Sequence, residues 1–249
     1  SFWLCEWSRL GSGSATRSAF VQRSAQNAQF VGWELAGDGT VSRTKECEAH
    51  PCFDALQHCV LVIDEEEKQV SSSEGHLLAQ TSVLQEIRLA QFPARFERMT
   101  AALAAGDFRG VRELTEQDAF EMHAVMATGS QPLHYMTKAT SLAIAHFVRV
   151  REKRGADMLW TLDAGANPHF IFSQKAFDAM AFVLEELALM PEFISKNLKI
   201  LFAPAAGRAL EWGERSKARD VILGRTSEEG LKELSLPQAV AAFRARGRL

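Results

Sequence analysis

Apolar residues recur at intervals of three and four positions along the stretch that begins at Thr81. This spacing gathers them on one face, which is typical of helices that pack against a core. The pattern is interrupted at Gly106-Asp107 and again at TGSQP, residues 128–132. It therefore predicts three helices, near Leu84 to Ala105, near Phe108 to Ala127 and near Leu133 to Lys153.

Shorter apolar runs bounded by turn residues occur on both sides of these helices. Runs of this kind are typical of buried strands. Phe177 to Met190 has a helical pattern again. Strands that pair beside layers of helices define the α+β class, which is the fold class predicted for this chain. The predicted strands are Val60 to Asp64, Met158 to Leu162, His169 to Phe172 and Asn197 to Ala203.

The first residues have a less regular pattern. Aromatic and aliphatic side chains between Phe2 and Leu10 recur at roughly helical spacing, which predicts a short helix. A second helix is predicted to begin at about Ser14 and to continue through Phe20. Gly37-Asp38-Gly39 marks a turn.

GSGSATRS, residues 11–18, is the first candidate for binding chemistry. Alternating glycine and serine let a backbone come close to a ligand, and Arg17 supplies a planar charged fork suited to phosphate or carboxylate. A helix that began at Ser14 would point its free N–H groups at the same anion. The alternative interpretation is a flexible glycine-serine linker.

Asp163 and the pair Thr81-Ser82 are the other candidates. A carboxylate that follows a buried strand lies at the mouth of a sheet, where it could act as a general base. An aspartate in an Ala/Gly turn is more often a turn former, and a Thr-Ser pair before a helix is more often a cap.

Composition limits the classes of partner. A net charge of -3 over 249 residues gives no global attraction to nucleic acid or to an anionic membrane. Continuous apolar runs are too short for a membrane helix, and residues 1–10 contain Glu6 and Arg9 where a signal peptide would be apolar. We expect a soluble, cytoplasmic protein without nucleic-acid or membrane partners.

Histidines and cysteines crowd together between residues 47 and 59, so a zinc site is considered. Their order matches no pair of closely spaced cysteines separated by a longer loop. Buried thiols are the expected outcome, with no metal site formed by the protein. The residues concerned are Cys47, His50, Cys52, His58 and Cys59.

Five blocks taken in order resemble the mevalonate diphosphate decarboxylases, a branch of the GHMP kinase superfamily. The resemblance extends from about Phe2 to Leu187. It implies a GHMP-kinase-like architecture of sheet and helix layers whose N-terminal, nucleotide-binding part is incomplete in this chain. The blocks are GSGSATRS at 11–18, VSSSEG at 70–75, TSVL at 81–84, FEMHA around His123 and WTLDAGAN at 160–167.

The resemblance also implies a reaction. ATP, accompanied by Mg²⁺, phosphorylates the tertiary hydroxyl of mevalonate 5-diphosphate, and loss of that phosphate drives decarboxylation to isopentenyl diphosphate in isoprenoid biosynthesis. Asp163 falls on the aspartate that deprotonates or orients the hydroxyl, and Arg17 on the arginine that holds the substrate carboxylate. Thr81 or Ser82 would help to bind the diphosphate. The residues that would line the substrate are Ser12, Gly13, Ser14, Ala15 and Thr16.

Three segments follow from this interpretation. Residues 1–65 are predicted to be the remainder of the N-terminal domain, residues 66–212 the C-terminal α+β domain, and residues 213–249 a solvated helical tail. The alternatives are a mevalonate-type kinase, a decarboxylase of another phosphorylated mevalonate, or a truncated, non-catalytic fragment that binds a metabolite or a partner chain. A homodimer is possible, since homodimers are common among the relatives.

Overall fold

The computed structural model describes most of the chain in two units. The first unit comprises Ser1–Ser24, Ala28–Pro51 and Glu67–Tyr135, and the second comprises Ala25–Asn27, Cys52–Glu66 and Met136–Leu249. The domain boundaries predicted above remain a prediction. The residues described are 3–5, 19–23, 30–35, 42–54, 56–64, 77–194, 198–203 and 232–247.

A four-stranded antiparallel sheet forms one layer of the first unit, with its strands in chain order. Two predictions fail here, because the residues predicted as helix at 3–5 and at Phe20 are paired in this sheet. Ladder hydrogen bonds to neighbouring strands outweigh the helical spacing of a few aromatic residues. The strands are β1 (Trp3–Cys5), β2 (Ala19–Arg23), β3 (Phe30–Leu35) and β4 (Ser42–Cys47).

Two long helices, α1 (Gln85–Ala105) and α2 (Phe108–Ala127), form the other layer of this unit and confirm the predicted spans. α1 contacts β2 and β4, and α2 contacts β1. Gly106 ends α1 with a φ of 72°, a conformation that glycine adopts without steric cost. The Asp107 carboxylate then caps α2 by accepting the N–H of Gly110 over 2.9 Å.

Charged side chains are buried between α1 and α2. Arg88 and Arg95 both donate to Asp118 Oδ1, over 3.0 and 2.6 Å, and Arg95 also donates to Glu121. The side chains of Arg88, Arg95 and Asp118 are no more than 5% exposed. The two helices are therefore joined by a carboxylate shared between two guanidinium groups, in addition to apolar contact.

The second unit is built on a five-stranded antiparallel sheet in the order β6-β7-β5-β8-β9. The four strands predicted from apolar runs are all present, within two or three residues at their ends. The strands are β5 (Gln57–Val62), β6 (Met158–Thr161), β7 (His169–Phe172), β8 (Lys199–Ala203) and β9 (Lys232–Ser235).

Among the residues that the structure describes, the helices beside this sheet are α3 (Lys138–Arg154), α4 (Phe177–Leu189), the short α5 (Pro191–Ile194) and α6 (Leu236–Arg246). Short 3₁₀ turns occur at Pro51–Phe53 and Gln174–Ala176. α3 begins later than the predicted Leu133, because Thr137 caps it and the N–H of Leu133 bonds instead to the carbonyl of Met126. The α+β class is confirmed.

Residues 232–247 are part of this core, so the prediction of a solvated helical tail is wrong for these residues. β9 pairs with β8, and Phe243 on α6 is completely buried. Its ring contacts those of Phe172, Phe177 and Phe202, with centroids 4.9 to 5.8 Å apart. Burial of aromatic surface holds α6 on the sheet, since large rings contribute most to such contacts. None of the described helices is both long enough and apolar enough to cross a membrane.

Candidate functional site

Ser82 lies in a partly buried hydrogen-bond network that joins the start of α1 to the end of α2. Its Oγ is 2.7 Å from Thr128 Oγ1 and accepts the N–H of Leu84 over 3.2 Å. The hydroxyl of Thr128 donates to the carbonyl of Ala124, so Ser82 is the donor between the two hydroxyls. Ser82 is only 6% exposed. The interpretation of the Thr-Ser pair as a cap is wrong, because Leu84 occupies the N-cap position of α1 and the helix has no side-chain cap hydrogen bond. The Ser82 hydroxyl acts instead within the turn that precedes the helix.

Thr81 differs from its neighbour in being exposed. Its hydroxyl donates to the carbonyl of Leu78 over 2.6 Å and accepts the N–H of Ser130 over 2.7 Å. The two hydroxyls together hold residues 128–130 against the turn that precedes α1. A role for either in binding diphosphate remains a prediction.

Gly129 allows this close approach. A Cβ at that position would lie 2.9 Å from the carbonyl oxygen of Leu78 and 3.2 Å from Thr81 Oγ1. We expect Gly129→Ala to lower the free energy of unfolding by about 1–3 kcal/mol, the usual cost of overpacking. Urea unfolding measures the change, with Ser130→Ala as the neighbouring control because Ser130 is exposed and keeps its N–H. Equal stability of the two variants would mean that the backbone of the turn shifts to accommodate the added Cβ without loss of stability.

Asp163 stands in a turn that leaves β6 and enters β7, as the sequence indicated. The N–H of Gly165 donates to the carbonyl of Asp163 over 2.7 Å. Asn167 closes the turn, because its Oδ1 accepts the N–H groups of Ile63 and Asp64 over 2.8 and 2.9 Å. Its Nδ2 donates to the carbonyl of Asp64 over 2.8 Å. One amide side chain thereby ties the turn to the end of β5.

A second contact fixes the turn from α3. The Thr140 hydroxyl, completely buried, donates to the carbonyl of Ala166 over 2.7 Å. Thr137 Oγ1 accepts the N–H of Thr140 over 3.1 Å as the cap of α3. The turn is held on two sides, which restricts the backbone that carries Asp163.

One histidine lies beside the Asp163 carboxylate, and a second histidine is hydrogen-bonded to the first. His169 Nε2 is 3.8 Å from Asp163 Oδ2, and His169 Nδ1 is 3.0 Å from His58 Nε2. The Asp163 side chain is 41% exposed and that of His169 19%. An exposed carboxylate on a fixed turn is accessible to a ligand and able to accept a proton.

The predicted site residues fall in different parts of the chain. Thr81 and Ser82 belong to the first unit and Asp163 to the second. Residues 11–18, and with them Ser12, Gly13, Ser14, Ala15, Thr16 and Arg17, lie outside the described residues. Sequence reasoning did not assign a role at this site to Asn167, Thr140, His58 or His169. A signal was present only for Asn167, which directly follows the Asp163 turn.

The cysteines next to β5 differ in exposure. Cys59 is buried, and desolvation raises the pKa of its thiol far above the ordinary value. Cys52 is exposed, although desolvation, followed by the charge of Asp157, also raises the pKa of its thiol. The expectation of buried thiols is met by Cys59 alone. Within the described ranges, no three His, Cys, Asp or Glu side chains are arranged to hold a metal ion.

Solved structures share this fold. The Staphylococcus aureus mevalonate diphosphate decarboxylase in its monoclinic form matches with a TM-score of 0.60 and 20% identity, over 83% of this chain and 54% of that one. A structure described as MDDEF in complex with MVAPP, AMPPCP and magnesium matches with a TM-score of 0.60 and 22% identity, over 90% and 57%. The mixed helices and antiparallel sheets therefore define a GHMP-kinase-like fold, as predicted.

The match to a protein family is more specific than the match of the fold. Residues 58–220 match the family described as the mevalonate 5-diphosphate decarboxylase C-terminal domain, and the chain belongs to this family. The diphosphomevalonate decarboxylase of Danio rerio is 28% identical over 233 residues, which are 92% of this chain and 52% of the relative. That of Saccharomyces cerevisiae is 29% identical over 194 residues, 76% of this chain and 47% of the relative. The chain spans about half the length of the curated relatives that it matches.

Proposed function

We propose that the protein catalyses the ATP-dependent decarboxylation of mevalonate 5-diphosphate to isopentenyl diphosphate. Membership of the decarboxylase family supports the reaction. The observation that carries the proposal is the Asp163 carboxylate, exposed on a turn that Asn167 and Thr140 hold in place. A base that must meet one hydroxyl of a substrate is most effective on a restricted backbone.

Asp163 is the general base in this proposal. In its ionised form it accepts the proton of the tertiary hydroxyl, or a hydrogen bond from it, while the hydroxyl oxygen attacks the terminal phosphorus of ATP. Loss of the new phosphate then leaves a positive charge on the tertiary carbon. The carboxylate of the substrate loses CO₂ and supplies the electron pair of the product's double bond.

The remaining substrate contacts rest on the resemblance of the sequence blocks. Arg17 would hold the substrate carboxylate with charge-assisted hydrogen bonds, and Ser12 to Thr16 would line the substrate. Thr81 is the better candidate of its pair for the diphosphate, since its side chain is exposed and that of Ser82 is buried.

ATP and Mg²⁺ are the proposed co-substrate and cofactor. A solved neighbour is described as a complex with AMPPCP and magnesium. The part of the chain that the structure describes offers no three acidic, His or Cys groups as a metal site. No ligand of this chain is therefore assigned to Mg²⁺, and no step is derived through it. The cytoplasmic location and the homodimer remain predictions.

Product analysis on the full-length protein tests the proposal. Mevalonate 5-diphosphate and Mg-ATP should give CO₂, phosphate and ADP in equal amounts. ADP release with a stable phosphorylated product would instead identify a kinase. Release of CO₂ only from mevalonate 5-phosphate or another phosphorylated mevalonate would correct the substrate. No turnover of any of these compounds would contradict the proposal.

A further inference from the structure

Strand pairing in the second unit brings His58, His169 and Asp163 together across three strands. Val60 on β5 lies opposite His169 on β7, so His58 is the diagonal neighbour of His169 on the same face of the sheet. Thr161, the last residue of β6, also lies opposite His169, and Asp163 follows two residues later. The two imidazole rings stack with their centroids 5.1 Å apart and their planes 23° apart.

The hydrogen bond between the rings limits where the hydrogens can be. A distance of 3.0 Å between His58 Nε2 and His169 Nδ1 requires a hydrogen on one of these two atoms. If His58 is the donor, neutral His169 carries its own hydrogen on Nε2, which faces Asp163. If neutral His169 is the donor, the lone pair of Nε2 faces an anionic carboxylate instead.

Electrostatics decides between these arrangements. Asp163 Oδ2 is 3.8 Å from His169 Nε2. This distance is too long for a hydrogen bond, but charges or partial charges on the two atoms still interact strongly across it. A positive Nε2–H beside the carboxylate is favourable, whereas a lone pair there is not. A doubly protonated His169 also presents Nε2–H to Asp163. Both favourable states thus have a hydrogen on the atom that faces the carboxylate.

We infer that His169 is a positioning residue for Asp163, and that His58 holds His169 in the tautomer with its hydrogen on Nε2. This inference rests on the proposed function in one respect, because it assigns to Asp163 the role of base. The pair would hold the carboxylate in one orientation at the end of the turn. Neither histidine is assigned a contact with the substrate.

Nitrogen-15 NMR of the imidazoles tests the tautomer without any substrate. The full-length protein is labelled and studied at a pH of about 8, where an ordinary imidazole is neutral. The signals of His169 are assigned by their loss in His169→Gln, which is practical because the chain has seven histidines. We expect Nε2 of His169 to carry the hydrogen, and we expect His58→Leu and Asp163→Asn each to shift the ring towards a mixture of tautomers. A hydrogen on Nδ1 with a bare Nε2, or a spectrum that Asp163→Asn leaves unchanged, would overturn the inference.

Kinetics test the positioning role separately. We expect His169→Leu to lower kcat about tenfold, as for the loss of one charge-dependent contact, with little change in KM. His169→Gln, whose side chain retains a donor near the position of Nε2, should recover most of the turnover. Wild-type kcat in His169→Leu would overturn the role, and so would equal losses in the Leu and Gln variants. A wild-type protein without turnover would instead contradict the proposed function, and the NMR result would still decide the inference.

Discussion

Asp163→Asn is expected to reduce turnover of mevalonate 5-diphosphate by about 10²–10⁴-fold, the usual contribution of a positioned general base. The amide has nearly the shape of the carboxylate but cannot take up the proton of the substrate hydroxyl. KM should change little, because the proposed base acts on the hydroxyl and not on the groups that bind the diphosphate. Steady-state release of CO₂ measures both constants.

A matched variant and a stability measurement make this result specific. Asp157→Asn makes the same chemical change just before β6 begins, at an exposed residue, and should leave turnover unchanged. The carboxylate of Asp163 is 41% exposed, so Asp163→Asn should unfold within about 0.5 kcal/mol of the wild type. Turnover retained in Asp163→Asn would remove Asp163 from the mechanism. Comparable losses of turnover in both variants would show that the loss in Asp163→Asn does not come from removal of a general base.

Asp118→Ala should have the largest effect on stability, a loss of about 3–5 kcal/mol in the free energy of unfolding. The carboxylate of Asp118 accepts from Arg88 and Arg95, and all three side chains are buried. The substitution removes the negative charge that both guanidinium groups share inside the protein. Denaturant unfolding, monitored on the full-length protein, gives the change.

Two further variants separate the contributions. Asp118→Asn keeps an acceptor oxygen but loses the charge, so its loss of stability should be intermediate. Glu113→Ala breaks the exposed pair with Arg109 on α2 and should shift the unfolding midpoint little. The hydrogen bond with Arg109 lowers the pKa of Glu113. Because the pair is exposed, water screens its contribution to stability. If Asp118→Ala were as stable as Glu113→Ala, the buried cluster would contribute no more than a surface pair.

The helices could be predicted because several local signals agree. α1 and α2 each have an apolar face, and Gly106 and Asp107 supply the turn and the cap that separate them. These signals lie within a few residues of one another, so tertiary structure has little to add. The strands of the second unit were recognisable for a similar reason, since each is a short apolar run that ends at turn residues.

The sheet of the first unit could not be predicted in the same way. β4, SRTKEC, has no apolar alternation, and β1 is a three-residue segment within a run of aromatic spacing that also fits a helix. These segments are strands because each pairs with a distant segment in a fixed register, as Phe30 does with Cys47. Pairing of this kind depends on context more than on the residues themselves.

The candidate site, too, could be predicted from the sequence only in part. Asp163 was predicted because a carboxylate in an Ala/Gly turn after an apolar run is a local pattern. The hydrogen bond between His58 and His169 joins residues 111 positions apart, and only the register of β5 with β7 brings them together. A shift of that register by one residue would move His58 to the opposite face of the sheet.

The position of β9 at the edge of the second sheet affects how the protein folds as it is made. β8, KILFA, is synthesised before residues 204–231, and only afterwards does β9 emerge to pair with it and Phe243 to cover Phe202. Until then the nascent chain has an unpaired, apolar strand edge, the kind of edge that invites association with other chains. The second unit therefore cannot complete its fold until both β9 and α6 have left the ribosome.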